Sequence, residues 1–197
     1  MILAERLCLF SFDPHDGRER VVPDRDVLHV AIAGLMLVDL IRSGRFAITV
    51  GHVEQRDTMP LAHPLLTEAA TLLSRLHSTT LTLTLRQLRA ASPRWRQRMH
   101  KTLAERAILE LQIPFPFMRR YRLRSRQAWI ESAQLLDTTA TTAHSGTIAL
   151  SLAIDRCGWL ADTVSSGNAR QLLMRIDEAI RSDDPLMRQL PDLFAQR

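Results

Sequence analysis

The sequence predicts an all-α, mainly helical globular fold with apolar central helices and small β-hairpins. Hydrophobic residues make up 46% of the 197 residues but aromatics only 5%, and the excess lies in Leu and Ala, which favours a helical interior over a sandwich or barrel. Two stretches, Asp26 to Ser43 and Thr147 to Leu160, keep nearly every turn apolar and so predict helices at the centre of the core. No Gly-, Ser- or Pro-rich stretch divides the chain, and its length suits one sizeable core, so residues 1–197 are expected to form a single domain.

The elements follow in order. Leu3 to Phe12 carries apolar residues at helical and strand spacings and stops at Asp13-Pro14-His15-Asp16-Gly17, a short helix running into a strand before a turn. In the Asp26 to Ser43 helix, Val27, Val30, Leu35, Val38 and Ile41 face the core and Gly44 follows as a C-cap. Gly34 inside it costs about 1 kcal/mol relative to Ala, which implies a close helix crossing. Phe46–Val50 and Val53–Asp57 alternate around Gly51-His52 and predict a hairpin closed at that dipeptide. Pro60 and Pro64 punctuate the chain ahead of a helix over Leu65 to His77. From Leu81 to Leu88 the leucines sit among Thr and Arg, and strand and helix both remain open.

Ser92-Pro93 has the form of a helix start, Ser as N-cap and Pro at the first helical position, with the helix running to Ala107. Ile108–Ile113 and Phe115–Met118 flank Pro114 and predict a second hairpin, after which Ser125 caps a helix to Leu136. Thr138 to Thr142 reads as a polar linker. Asn168 to Arg181 is amphipathic, with Leu172, Leu173, Ile176 and Ile180 inward. Asp183-Asp184 ahead of Pro185 reads as turn and helix-end chemistry.

Function is most legible in the arginines. Arg94, Arg96, Arg98, Arg119, Arg120, Arg122, Arg124 and Arg126 are interleaved with Trp95, Phe115, Phe117, Tyr121 and Trp129. Guanidinium groups bind phosphate bidentately while rings stack or sit at an interface, so the expected partner is an anion. The net charge is +5 and the sequence pI about 10.4, yet Lys101 is the sole lysine, so the placement of the arginines matters more than their number. On a helix, residues 94 and 98 share a face and 96 lies far round from them, with Trp95 turned inward. In an extended segment, Arg120, Arg122, Arg124 and Arg126 fall on one side as a basic stripe. Near an acidic membrane each such charge contributes about 1 kcal/mol. The candidate lipid or anion contacts are therefore Arg94, Arg96, Arg98, Arg119, Arg120 and Arg122.

Other chemistries find little support. Cys8 and Cys157 lie far apart in apolar runs, which predicts buried free thiols and fits a reducing cytoplasm. Ile2 to Phe12 is too short for a signal peptide, and no run reaches the roughly 20 apolar residues of a membrane span, so membrane contact is expected to be peripheral. The seven histidines show no metal-ligand spacing. Gly-x-Ser-x-Gly, dinucleotide and P-loop motifs are absent, so neither an enzyme nor a cofactor is expected.

The order of segments resembles the Golgi phosphoprotein 3-like (GPP34) domain of eukaryotes and many bacteria, and suggests a bacterial-type member. The resemblance rests on the run Ala31 to Arg45 as a small-residue helix ending in a basic Gly-Arg, on Met59 to Ala69 as a Pro-containing turn and Leu-Leu-x-Glu-Ala helix, on Leu103-Ala104-Glu105-Arg106-Ala107-Ile108-Leu109, on Arg120-Tyr121-Arg122-Leu123-Arg124, and on Thr147 to Leu160. It spans nearly the whole chain. It departs from the pattern at Leu61-Ala62-His63, where Thr-Gly-Asp is usual, and at Arg122, where proline is usual.

The resemblance implies a protein that binds phosphatidylinositol 4-phosphate on membranes and gathers the tails of glycosyltransferases. The family's headgroup pocket maps onto Asp24, Ala33, Pro93 and Arg96, of which only Arg96 keeps the family's basic character. Binding of anionic lipid with little headgroup preference is therefore expected. The larger members use an extended hairpin after the small-residue helix for self-contact. Here Gly51-His52 closes it tightly, so a monomer is favoured and any self-association is expected elsewhere.

Three functions follow from these readings. The leading one is a cytoplasmic peripheral adaptor that docks on anionic membrane lipid and holds a protein partner. Its rival is a nucleic-acid-binding module in which the helix from Pro93 and the hairpin after it resemble a winged helix. An enzyme without a readable motif ranks third.

Overall fold

Helix α1 (Leu3–Phe10) enters the core at once, burying Leu3, Leu7, Cys8, Leu9 and Phe10. This computed structural model describes residues 1–195 apart from 23, 77, 116–117, 140–143 and 183. Helix α2 (Arg25–Arg42) follows, with the Asp24 side chain accepting from the Asp26 N–H as its N-cap, and it is buried without interruption from Val30 to Leu40. The second apolar stretch forms α6 (Ser145–Arg156), buried from Ile148 to Ile154 and packed on α2. The predicted mainly helical fold with two apolar central helices is what the chain forms.

Helix α9 (Pro185–Ala195), which the sequence reading did not anticipate, explains Gly34. A β-carbon at residue 34 would lie 2.7 Å from Cε1 of Phe194, so the missing side chain lets α9 cross α2 closely. Asp184 caps α9 by accepting from the Leu186 N–H at 2.8 Å, while Asp183 lies outside the described residues. Between these helices run α7 (Leu160–Thr163) and α8 (Ser166–Ile180). In α8 the buried stripe is Leu172, Ile176 and Ala179, and Leu173 is 42% exposed instead of inward, because one residue along a helix turns the side chain by about 100°.

Strands β1 (Phe46–Thr49), β2 (His52–Gln55) and β3 (Ser78–Thr80) form an antiparallel sheet in that order. Thr49 pairs with His52, so the hairpin closes at Val50-Gly51, one residue before the predicted tip, with φ of 48° and 75°. Positive φ at both central residues is the pattern of a type I′ turn, whose twist matches the flanking strands. Helix α3 (Pro64–Ser74) ends short of His77, which lies outside the described residues.

Helix α4 (Leu81–Glu105) settles the ambiguity of the Leu81 to Leu88 segment and corrects the predicted start at Ser92-Pro93. Thr80 is the cap, accepting from the Leu83 N–H at 3.4 Å, and Pro93 sits inside the helix. Proline leaves the carbonyl four residues back without its usual N–H. That carbonyl is Arg89's, and the Ser92 hydroxyl donates to it at 2.8 Å. Leu81, Leu85, Leu88, Trp95, Met99 and Leu103 meanwhile anchor both halves of the helix in the core.

The second hairpin pairs β4 (Leu109–Phe115) with β5 (Met118–Leu123), so Pro114 lies in a strand instead of the turn. Ser125 accepts from the Ala128 N–H at 3.3 Å and caps α5 (Arg126–Thr139), as predicted. The helix absorbs Thr138 and Thr139, and the rest of the predicted linker lies outside the described residues. Cys8 and Cys157 are buried free thiols, pushed up to about 12 by burial.

Candidate anion-binding site

The turn after α1 seats itself on β5. Asp13 Oδ1 accepts from the His15 N–H at 2.7 Å, a bond that holds its carboxyl below the usual range. Gly17 takes φ of 72°, and its carbonyl accepts from the Leu123 N–H at 2.8 Å. A β-carbon there would stand 2.9 Å from the Leu123 carbonyl oxygen, so this contact needs glycine twice over. Arg122 completes the seam, donating from Nε and Nη2 to the Asp16 carbonyl at 3.1 and 2.9 Å.

Between turn and hairpin lies a cavity of about 580 Å³ lined by Arg18, Glu19, Gln112, Arg120, Tyr121 and Arg122. The alternation of β5 builds it as predicted: Arg120 and Arg122 are exposed on one face, while Tyr121 and Leu123 turn inward. Tyr121 packs edge-on against His100 with centroids 5.1 Å apart, and His100 against Phe12 at 5.5 Å. This aromatic row ties the hairpin to α4 and to the end of α1. Burial, reinforced by the nearby Arg96 charge, lowers His100 to about 3, so it stays neutral at physiological pH and adds no cation.

The structure separates the predicted site residues. Arg96 reaches the cavity's edge by an ion pair with Glu19. Arg94 and Arg98 point to the other flank of α4, where both meet Glu68 of α3, Arg94 at 4.0 Å. Arg120 and Arg122 line the cavity, and the Arg119 side chain lies outside the described residues. The predicted stripe is also shorter than expected, because β5 ends at Leu123 and Arg126 opens α5. Arg18 was missed: it reaches residue 120 only through the fold, and no spacing in the sequence signals that approach.

The positions that the family resemblance marked are dispersed. Asp24 caps α2, Pro93 is exposed on α4, and Ala33 is 1% exposed. Ala33 lines a separate recess of about 310 Å³ with Arg86 and Arg89. Arg89 is paired there with Asp26 at 2.9 Å.

Three guanidinium groups, an amide and a phenol around one cavity supply donors for a phosphate-sized anion, opposed by the carboxylates of Glu19 in its lining and of Asp16, which stands 3.8 Å from Arg18. Among the described residues no three His, Cys, Asp or Glu side chains gather where they could hold a metal ion. No described helix is long and apolar enough to cross a membrane.

Among curated proteins none matches this sequence. A family model does, that of Golgi phosphoprotein 3 (GPP34), and it covers residues 3–193, nearly the entire chain. The chain belongs to the Golgi phosphoprotein 3 (GPP34) family.

Proposed function

We propose that the protein is a peripheral adaptor that docks on anionic lipid at the cytoplasmic face of a membrane, through the cavity of Arg18, Arg120 and Arg122, and holds a protein partner. One observation carries this reading. The β4–β5 hairpin is amphipathic, with Arg120 and Arg122 on one face and, on the other, Leu111 and Ile113 at 41% and 60% exposure. Guanidinium groups and uncovered apolar side chains carried by one hairpin suit a surface whose charge lies just above its hydrocarbon. Phe115 and Phe117 continue the apolar character of that hairpin in the sequence.

Residues 131–195 carry nine Asp and Glu against five Arg, a composition suited to a basic protein partner. Binding, and not catalysis, is the activity this arrangement supports. With Asp24, Ala33 and Pro93 outside the cavity, the docking is electrostatic and shows little headgroup preference. Co-sedimentation with phosphatidylserine-containing vesicles, phosphatidylcholine vesicles and duplex DNA at low and physiological salt tests the reading. Binding to the acidic vesicles that fades as the Debye length falls to about 8 Å supports it. Binding to DNA alone would replace it with the nucleic-acid function.

A further inference from the structure

Arg96 is set deeper than the other cations near the cavity. Its side chain is only 23% exposed, and its Nε is buried without a hydrogen-bond partner among the described residues. Its charge is felt at His29 and His100, which burial first and Arg96 second hold below their ordinary value. A guanidinium drawn this far into the fold needs a counter-ion, because an unpaired charge costs more there than in water. Among the described residues Glu19 alone supplies it.

Glu19 is held less firmly than the other carboxylates of its turn. Asp13 accepts from the His15 N–H at 2.7 Å and Asp16 from the Arg18 N–H at 2.8 Å, so the backbone anchors both. The Glu19 side chain is 38% exposed, and its hydrogen bond is to Arg96. That same carboxylate lines the cavity beside Arg120, while Arg18 meets Asp16 at 3.8 Å and Arg122 is bound to the Asp16 carbonyl. An anion entering the cavity therefore meets Glu19 directly and is repelled by it. Phosphate oxygens can accept from several guanidinium groups at once, whereas Glu19 engages one.

We propose that Glu19 is a displaceable internal counter-ion: the headgroup phosphate of an anionic lipid expels its carboxylate from Arg96 and takes its place, so that docking is held back by a competitor built into the cavity. The inference rests on the docking reading above. Exchange keeps Arg96 paired before and after docking, so the half-buried guanidinium is never left bare. The freed carboxylate, already more than a third exposed, turns into solvent.

A double-mutant cycle on phosphatidylserine vesicles at low salt tests the exchange, with the wild type, Glu19→Gln, Arg96→Gln and the double variant. Glu19→Gln should tighten binding about fivefold in the wild type but by no more than about twofold beside Arg96→Gln, where the carboxylate has no pair to surrender. A pair that survives docking contributes equally to both states and gives the same factor in both backgrounds. Equal factors therefore overturn the exchange and leave the docking reading standing, and absence of binding by all four proteins overturns both. Melting in inorganic phosphate, against chloride at the same ionic strength, adds an independent measurement. Glu19→Gln should melt below the wild type in chloride, because Arg96 has lost its counter-ion, and phosphate should raise it more than it raises the double variant. An equal rise in the two variants contradicts the proposal.

Discussion

Arg94 and Arg98 carry the same charge as Arg120 and Arg122, yet their settings differ. The first pair spends its charge on Glu68. Arg122 instead donates to the neutral carbonyl of Asp16, and with Arg120 it lines open space. A hydrogen bond to a carbonyl fixes a guanidinium in place without cancelling its charge, whereas a carboxylate partner removes much of the field an incoming anion would feel. Counting arginines therefore overstates the first group and leaves out Arg18, whose contribution exists only in the folded chain.

The largest effect should strike both groups alike, because both hang from the same core. Leu37→Ala, at a fully buried position of α2, should cost about 2–5 kcal/mol in a chemical melt. A cost below about 1 kcal/mol would mean that α2 is not the central support.

Gly17→Ala should separate the two groups. Left-handed backbone and the approach to Leu123 together should cost about 1–3 kcal/mol and displace the turn from β5. Vesicle binding should fall while the α3–α4 packing persists, as amide exchange over α3 would report.

Titration of His100 sharpens the same seam. Its ordinary value of 6.5 drops to about 3 in the fold, so the unfolded chain binds the proton more readily. Its contribution to stability is complete above pH about 6.5 and is lost progressively as pH falls toward 3. Asp39 runs the other way: burial raises it to about 6, so it relieves a cost as pH falls from 6 toward its ordinary 3.8. His100→Phe keeps the aromatic row and removes the first titration. Its melting temperature should fall less than that of the wild type between pH 7 and 4, and parallel curves would refute the assignment.

The smallest effect concerns the carboxylate inside the cavity. Glu19→Gln removes the one negative side chain lining it and should tighten binding to acidic vesicles by about fivefold, the worth of one charge near such a surface. Weaker binding would show that the Arg96–Glu19 pair shapes the site more than it opposes anions.

Much of the scaffold was legible in the chain. Apolar residues at every turn revealed α2 and α6, and alternation revealed which side of β5 carries Arg120 and Arg122. Local signals misled where tertiary structure overruled them. Ser92-Pro93 looks like a helix start, but the Ser92 hydroxyl satisfies the carbonyl that Pro93 abandons, and buried neighbours on both sides carry α4 through. Helix α9 was hidden by Pro185 and Pro191, although Leu186, Met187, Leu193 and Phe194 are buried along it. The cavity was legible only in half, since Arg120 and Arg122 are neighbours in sequence while Arg18 and Glu19 arrive by way of a glycine turn some hundred residues earlier.

The most direct measurement compares two double charge reversals in vesicle co-sedimentation at low salt: Arg120→Glu with Arg122→Glu, and Arg94→Glu with Arg98→Glu. The hairpin pair should weaken binding to acidic vesicles by at least about tenfold, and the α4 pair by a clearly smaller factor because Glu68 already offsets it. Equal losses, a larger loss from the α4 pair, or wild-type binding by the hairpin variant would contradict docking through the cavity.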